Sequence, residues 1–171
     1  VFGYGSLMWN PEFEFVDRQI ARLAGYHRSC CMRASHHRGT EDEPGLVLAL
    51  DQLEGAFCDG FAFQVGPDQA EQTLADLRDR ELISSAYLET HQKLTLRNGK
   101  TVRALAYVVD VDHVQYCGGL PLSEQAQIIA QAVGGRGTNR EYLFNTADHL
   151  EEIGLKDQDL SWLAKQVRTL D

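Results

Sequence analysis

The sequence lacks any apolar run long enough to cross a membrane. Its longest runs, residues 46–50 and 104–109, have the length of a strand, whereas a membrane-spanning helix needs about 20 apolar residues. The residues that follow Val1 show no basic segment leading into an apolar one, so we expect no signal peptide here. These absences predict a cytoplasmic protein without a membrane partner.

Positive charge is also in short supply. The chain has 16 Lys and Arg residues against 25 Asp and Glu residues, a net charge of −9. Nucleic acid phosphates and anionic lipid surfaces repel such a chain, so we expect neither as a partner, and no obligate protein partner is evident. The apolar fraction of 43% is near the globular average and indicates a hydrophobic core.

The cysteine and histidine patterns of metal and redox sites are missing. The four cysteines include no Cys-x-x-Cys pair, and a chain of 171 residues does not need disulfide bonds to fold. His36 and His37 are adjacent, so an extended chain would point them to opposite faces. Cys30 and His27 can be drawn as a thiol–base pair, but no third orienting group accompanies them. We expect reduced thiols and no metal site.

Strands are predicted mainly within residues 1–110. Residues 1–4, 46–50 and 55–65 each read as one strand, and residues 21–32 as one strand or two. Asn98-Gly99 between two alternating segments predicts a β-hairpin on a type I′ turn.

The helices are fewer and mostly late. Residues 67–80 predict one helix with Asp68 as its N-cap, and a helical tail is expected over residues 122–169, with a capping box at Thr138 and Glu141. This order is typical of an α+β fold, here a single domain over residues 1–171 built on a small barrel or curled sheet.

Two glycines surround Tyr4 directly after the first strand, in the segment FGYGSL over residues 2–7. Glycines at a strand end allow main-chain N–H groups to approach a carboxylate closely. Met8 replaces the third glycine of a dinucleotide fingerprint, and a nucleophile elbow around Ser6 would need glycine in place of Tyr4. The segment is therefore either a plain turn or a ligand-binding loop.

Two further segments have a functional and a structural interpretation. Glu81 ends the predicted 67–80 helix, where the negative end of the helix dipole raises a carboxyl pKa toward that of a general base; the alternative is a solvated surface glutamate. The glycines of residues 134–137 precede a helix N-terminus and indicate either an anion site or a helix–helix turn. Tyr142 lies one turn into that second helix.

The order of these motifs is more specific than any one of them. In chain order they are VFGYGSLMWNP over residues 1–11, Arg38-Gly39-Thr40, Pro44-Gly45, Arg80-Glu81 with Tyr87 downstream, Gly137-Thr138-Asn139 and EYLF over residues 141–144. The chain resembles the ChaC family of γ-glutamylcyclotransferases over nearly its whole length, the bacterial branch most closely. The resemblance implies a small mixed β-barrel with flanking helices.

The resemblance also implies a reaction, in which a γ-glutamyl peptide, chiefly glutathione, becomes 5-oxoproline and Cys-Gly without metal or cofactor. Glu81 is then the general base and acid. Tyr4, Gly5, Ser6 and Leu7 would form the substrate loop, and the side chains expected to bind substrate with them are Arg38, Tyr87 and Tyr142. Ser84-Ser85-Ala86 stands where many relatives have glycines, which affects the expected loop shape and substrate preference.

Two alternatives to glutathione cleavage stay open. The first is a cyclotransferase for other γ-glutamyl amino acids or amines, since the pocket beyond the γ-glutamyl group is not visible in the sequence. The second is a non-catalytic ligand-binding module of the same fold. The presence of Glu81 favours an enzyme, because a binder of an ammonium group would tolerate Asp or Gln there.

Overall fold

Strands come first and helices last in the computed structural model, which describes residues 1–170. In chain order the elements are β1 (Phe2–Gly3), β2 (Asp17–Ala34), β3 (Gly45–Gln64), α1 (Ala70–Glu81), β4 (Tyr87–Leu96), β5 (Thr101–Val109), α2 (Leu122–Gln131), β6 (Val133–Gly134), β7 (Gly137–Thr138), α3 (Asn139–Glu152) and α4 (Gln158–Val167). The predicted α+β class is confirmed.

The main sheet has five strands in the order β1-β3-β2-β4-β5. β1 pairs antiparallel with β3, β2 with β4, and β4 with β5. The expected barrel is not closed within residues 1–170, because β1 and β5 stay at opposite ends of this order. The sheet nevertheless curls, since Cα atoms of β1 and β5 approach within 8 Å. With only two residues, β1 is too short to complete a second ladder.

The two central strands are longer than predicted. β2 has 18 residues and β3 has 20, so the two segments predicted over residues 46–50 and 55–65 belong to one strand, which ends at Gln64. Gly25 and Gly55 sit in these strands with φ values of +81° and +78°. A left-handed glycine bends a strand without ending it, which explains why the turn-like sequence signals did not mark strand ends.

The β4–β5 hairpin lies where it was predicted, but its turn is of another kind. Gly99 has a φ of +83°, whereas Asn98 is not left-handed, as a type I′ turn requires. Leu96 accepts from the Gly99 N–H at 2.9 Å and donates to the Lys100 carbonyl at 2.8 Å. The loop therefore has three residues, and its left-handed glycine follows an ordinary turn.

The described residues group into two compact units; the expectation of one domain over residues 1–171 stays a prediction. The first unit comprises Val1–Arg28 and Leu50–His113. Its sheet core is formed by apolar side chains from all five strands of the main sheet, with Phe2, Leu50 and Leu94 completely buried. A second cluster, Leu7, Leu77 and Tyr107, packs α1 against the sheet. The predicted N-cap Asp68 is wrong, because residues 67–69 form a 3-10 turn without a side-chain cap.

The second unit comprises Ser29–Ala49 and the residues from Val114 onward. Helices α2, α3 and α4 pack together in it, and Ile129, Leu143 and Leu163 are almost completely buried. The predicted capping box of α3 is confirmed, since Thr138 Oγ1 accepts from the Glu141 N–H and the Glu141 carboxylate accepts from the Thr138 N–H. The glycine segment of residues 134–137, for which an anion site or a helix–helix turn was expected, contributes to the small β6–β7 hairpin between α2 and α3.

All four cysteines are free thiols, as expected. Cys30, Cys31 and Cys58 are buried, and burial raises the pKa of the Cys30 thiol, which opposes reactivity. Among residues 1–170, no helix combines the length and the apolar character that a membrane span requires.

Candidate active site

One guanidinium group joins the glycine-flanked loop to Glu81 in the first unit. The loop forms a 3-10 turn over Ser6–Met8 directly after β1, and Glu81 is the last residue of α1. Arg80 donates from Nη2 to Ser6 Oγ at 3.0 Å, and its Nε lies 3.3 Å from Glu81 Oε1. The predicted loop and the predicted base are thus held by the same side chain.

The loop is shaped by close packing on one side and open space on the other. A Cβ on Gly3 would lie 2.9 Å from a ring carbon of Phe63, so this position needs glycine, whereas a Cβ on Gly5 would meet nothing within 4 Å. The donors of the turn's own hydrogen bonds are Met8 and the residues after it. The main-chain N–H groups of residues 5–7 therefore donate none of the turn's own hydrogen bonds, and the space beside Gly5 is open.

Arg28 supports the loop from inside the protein. Only 5% of this residue is exposed. Its Nε donates to the Tyr4 carbonyl at 2.6 Å, and its Nη2 donates to the Asp59 carbonyl at 2.6 Å. Because a trans peptide points its C=O and N–H in opposite directions, fixing the Tyr4 carbonyl toward Arg28 turns the Gly5 N–H away from it. Arg28 thereby sets the direction of the Gly5 N–H.

The Glu81 carboxylate is largely buried, with 18% of its side chain exposed. Burial raises its pKa above the ordinary glutamate value, the Arg80 charge opposes this shift, and the Glu12 charge reinforces it. A carboxylate that binds its proton more tightly than usual suits a group that must take up a proton and return it.

A second glutamate near Glu81 has the opposite electrostatic character. Arg78 donates two hydrogen bonds to Glu89, at 2.8 and 2.7 Å, and these hold the Glu89 pKa below its usual range. The buried Tyr107 donates its hydroxyl to Glu89 at 3.2 Å, and its own pKa is raised by burial and by the Glu89 and Glu81 charges. Glu89 is therefore a fixed negative charge, while Glu81 is the carboxylate suited to exchange protons.

Tyr87 and the loop before it also lie in this unit. Tyr87 opens β4 and packs, partly buried, against the cluster of Leu7, Leu77 and Tyr107. Ser85 has a φ of +56°, a left-handed conformation that favours glycine. This conformation gives a physical reason for the glycines that relatives are expected to carry in residues 84–86.

Arg38 and Tyr142 lie together in the second unit. The Arg38 guanidinium carbon is 5.7 Å from the centre of the Tyr142 ring, and Arg38 Nη1 donates to the Thr138 carbonyl at 3.2 Å. The Tyr142 hydroxyl accepts from the Leu48 N–H at 3.0 Å. Arg38 thus has a structural contact with the capping residue of α3 in addition to any contact with a ligand.

Comparison with known proteins identifies the family. The sequence profile of the ChaC-like protein family matches residues 1–170. The chain belongs to this family. The "Glutathione-specific gamma-glutamylcyclotransferase" of Escherichia coli (strain K12) is 39% identical over 170 residues, which cover 99% of this chain and 73% of that protein. The human "Glutathione-specific gamma-glutamylcyclotransferase 1" is 32% identical over 161 residues, which cover 93% of this chain and 72% of that protein.

The ChaC-like chain also matches a solved structure along nearly its whole length. The crystal structure of the yeast γ-glutamyl cyclotransferase specific to glutathione superposes with a TM-score of 0.86 at 22% identity, covering 98% of this chain and 94% of that one. This likeness confirms the cyclotransferase-like α+β fold that the motifs implied, although the sheet is not closed into a barrel within residues 1–170.

Several residues of the ChaC-like site escaped the sequence analysis. Arg28 contacts the loop, the Glu12 charge acts on Glu81, and the Glu81 charge acts on Tyr107, yet each of the three is distant from Glu81 in sequence. An arginine within a predicted strand gives no local sign that it is buried. Cavities of about 490 Å³ and 250 Å³ elsewhere in the two units are lined neither by Glu81 nor by residues 4–7.

Proposed function

We propose that this ChaC-like protein is a glutathione-specific γ-glutamylcyclotransferase, which converts glutathione to 5-oxoproline and Cys-Gly. The names of its relatives support the substrate. The observation that carries the mechanism is the position of the Glu81 carboxylate. It is largely buried, and the Arg80 guanidinium contacts both this carboxylate and Ser6 of the glycine-flanked loop.

The reaction is an internal aminolysis. The glutamyl α-amine attacks the γ-carbonyl carbon, a five-membered lactam forms, and the amide bond to cysteine breaks. The attacking nitrogen loses one proton, and the leaving nitrogen gains one when its bond to the γ-carbonyl carbon breaks. The atoms therefore balance without water, metal or cofactor. Because the nucleophile and the electrophile belong to one substrate, the enzyme has only to fold the substrate and move one proton.

Glu81 is the residue that moves this proton. Its carboxylate accepts the proton that the α-amine loses as it attacks the γ-carbonyl and returns this proton to the leaving amine. The pKa raised by burial suits both halves of this cycle, since a carboxylate of ordinary pKa would be a weaker base.

The loop stabilises the charge that develops on the substrate. Main-chain N–H groups of Gly5, Ser6 and Leu7 bind the substrate carboxylate or the oxyanion of the tetrahedral intermediate. Arg28 supports this role because it fixes the Tyr4 carbonyl at 2.6 Å and with it the direction of the Gly5 N–H. The net charge of −9 repels an anionic substrate at long range, so binding depends on such local donors.

Three further side chains complete the proposal. Tyr87 offers a phenol to the substrate from the same unit as the loop. The resemblance adds Arg38 and Tyr142 as proposed substrate-binding residues, and Arg38 is suited to bind a carboxylate with two N–H groups.

A single assay tests the reaction and its base. Purified protein is incubated with glutathione, and Cys-Gly and 5-oxoproline are measured. We expect equal amounts of the two products, and a loss of about 10²- to 10⁴-fold in kcat for Glu81→Gln, the range typical of a general base. Glu71→Gln is the matched control, because Glu71 is an exposed glutamate of the same helix.

The possible outcomes separate the alternatives. No product from the native protein would overturn the proposal in favour of a ligand-binding module. Faster cleavage of γ-glutamyl-alanine than of glutathione would assign the protein to other γ-glutamyl substrates. Full activity in Glu81→Gln would remove Glu81 from the mechanism while leaving the reaction in place.

A further inference from the structure

Arg80 makes several contacts around the loop that no sequence motif predicted. Besides Ser6 Oγ at 3.0 Å and Glu81 Oε1 at 3.3 Å, its Nη1 donates to the Asn10 carbonyl at 2.9 Å and lies 2.9 Å from Glu12 Oε2. Its side chain is 24% exposed. One planar cation therefore contacts both ends of residues 6–12 and the last residue of α1.

Glu12 holds an uncommon backbone conformation opposite Arg80. Its φ is 60°, a left-handed value that glutamate rarely adopts. Both carboxylate oxygens are engaged, since Oε1 accepts from Asn10 Nδ2 at 3.1 Å and Oε2 pairs with Arg80. Contacts that hold a residue in such a conformation indicate a segment whose shape is tightly specified.

We propose that Arg80 is a positioning residue of the cyclotransferase, which fixes residues 6–12, the glycine-flanked loop and its continuation, against the Glu81 carboxylate. In the same proposal Glu12 is the counter-charge that keeps Arg80 from pairing with Glu81 alone. This inference rests on the proposed function, in which Glu81 is the base and the loop binds substrate.

The distances support a division of the Arg80 charge between two carboxylates. The pair with Glu12 measures 2.9 Å and is a hydrogen bond, whereas the approach to Glu81 measures 3.3 Å. The charged groups that act on Glu81 are Arg80 on its own helix and Glu12 on the loop. The Glu81 charge in turn raises the pKa of Tyr107 on β5. A guanidinium paired only with Glu81 would stabilise the carboxylate and weaken it as a base.

The contact with Ser6 orients a further donor. Because Ser6 Oγ accepts the hydrogen of Arg80 Nη2, its own hydroxyl hydrogen points elsewhere. Arg80 therefore leaves the Ser6 hydroxyl free to donate to a substrate oxygen beside the main-chain donors of the loop.

The test measures the Glu81 pKa directly, without relying on turnover. The carboxyl carbons of glutamate are labelled with ¹³C, the Glu81 signal is assigned by its absence in Glu81→Gln, and its titration is followed by NMR. Arg80→Gln removes the opposing cation, so the Glu81 pKa should rise. Glu12→Gln leaves Arg80 uncompensated, so the Glu81 pKa should fall.

Steady-state kinetics of the same variants supply the second readout. We expect kcat/KM of Arg80→Gln to fall about ten- to hundredfold, the effect of losing a hydrogen bond to a charged group, with a raised KM. Arg80→Lys keeps the cation but cannot bridge several acceptors, so it should keep the Glu81 pKa near the native value and still raise KM. Arg168→Gln, which breaks the exposed pair with Asp148 in the second unit, is the control and should change neither quantity.

The outcomes are distinguishable from a failure of the proposed function. If the native protein does not cleave glutathione, the proposed function fails whatever the NMR titrations give. If cleavage is normal but Arg80→Gln and Glu12→Gln shift the Glu81 pKa in the same direction or not at all, the division of the Arg80 charge is refuted. An unchanged KM in both Arg80 variants would refute the positioning of the loop.

Discussion

Glu81 and Glu89 have similarly exposed side chains, 18% and 20%, and yet their carboxyl pKa values move in opposite directions. Burial raises the pKa of Glu81, whose arginine neighbour is 3.3 Å away and shared with Glu12. Two hydrogen bonds from Arg78 lower the pKa of Glu89. Burial at Glu81 and the Arg78 hydrogen bonds at Glu89 thus give the two carboxylates opposite electrostatic character.

The first prediction concerns the pH dependence of catalysis. Glu81 accepts a proton only when ionised, and its pKa is raised, so kcat/KM should fall about tenfold per pH unit below that pKa. The acidic limb should therefore begin above the ordinary pKa of glutamate. Measuring kcat/KM for glutathione across an acidic pH series tests this, with Glu71→Gln as a control that keeps the native profile. A value of kcat/KM that stays unchanged as the pH falls to the ordinary pKa of glutamate would contradict the assignment of Glu81 as the base.

The second prediction concerns stability and uses both glutamates. A raised folded-state pKa contributes stability that is present at low pH and lost as the pH rises through it, so Glu81→Gln should raise the Tm at neutral pH and leave it unchanged in acid. A lowered pKa has the opposite effect, so Glu89→Gln should lower the Tm at neutral pH, and this loss should vanish as the pH falls through the Glu89 pKa. Thermal unfolding of both variants over a pH series should give differences of opposite sign; differences of the same sign would refute the electrostatic separation.

The third prediction concerns the buried Arg28. Arg28→Met removes the donors to the Tyr4 and Asp59 carbonyls and should destabilise the protein by about 3 kcal/mol, since each buried acceptor without a partner costs about 1–3 kcal/mol. Arg33→Met, at an exposed position of the same strand β2, should change stability by less than about 0.5 kcal/mol. Urea unfolding measures both.

Arg28 also makes a separable prediction for catalysis. At urea concentrations where Arg28→Met is still folded, its kcat/KM should remain below the native value, because the Gly5 N–H loses its orientation. Native kcat/KM in the folded variant would limit Arg28 to a role in stability.

Local signals in the sequence predicted the local features of the fold. The capping box of Thr138 and Glu141 and the β4–β5 hairpin lie where their residues indicated, because both depend on atoms a few residues apart. Glycines were less informative. Gly25 and Gly55 lie inside long strands, and an isolated glycine signals a bulge and a strand end in the same way.

In the candidate site, too, the local motifs were predicted from the sequence and the long-range contacts were not. The FGYGSL segment and Glu81 were identified from motif order, but the contacts between them were not, because Arg80 and Ser6 are 74 residues apart and Arg28 and Tyr4 are 24 apart. An arginine in a strand or at a helix end is ordinarily solvated. Only the folded structure identifies these two as the residues that hold the loop.

The last prediction concerns Asn139, which completes a strand with its side chain. Its amide accepts from the Leu46 N–H at 2.7 Å and donates to the Leu46 carbonyl at 2.8 Å, and both residues are completely buried. Asn139→Ala leaves two buried main-chain groups without these partners, which should cost about 2–6 kcal/mol.

Asn139→Asp keeps the acceptor but sets a carboxylate oxygen against the Leu46 carbonyl, so this variant should also be strongly destabilised. Its stability should recover as the pH falls and the carboxyl protonates. Glu151→Gln, an exposed change in the same helix α3, serves as the control. Urea unfolding at two pH values measures these effects, and an Asn139→Asp variant as stable as the native protein at neutral pH would show that the Leu46 carbonyl does not need the amide donor.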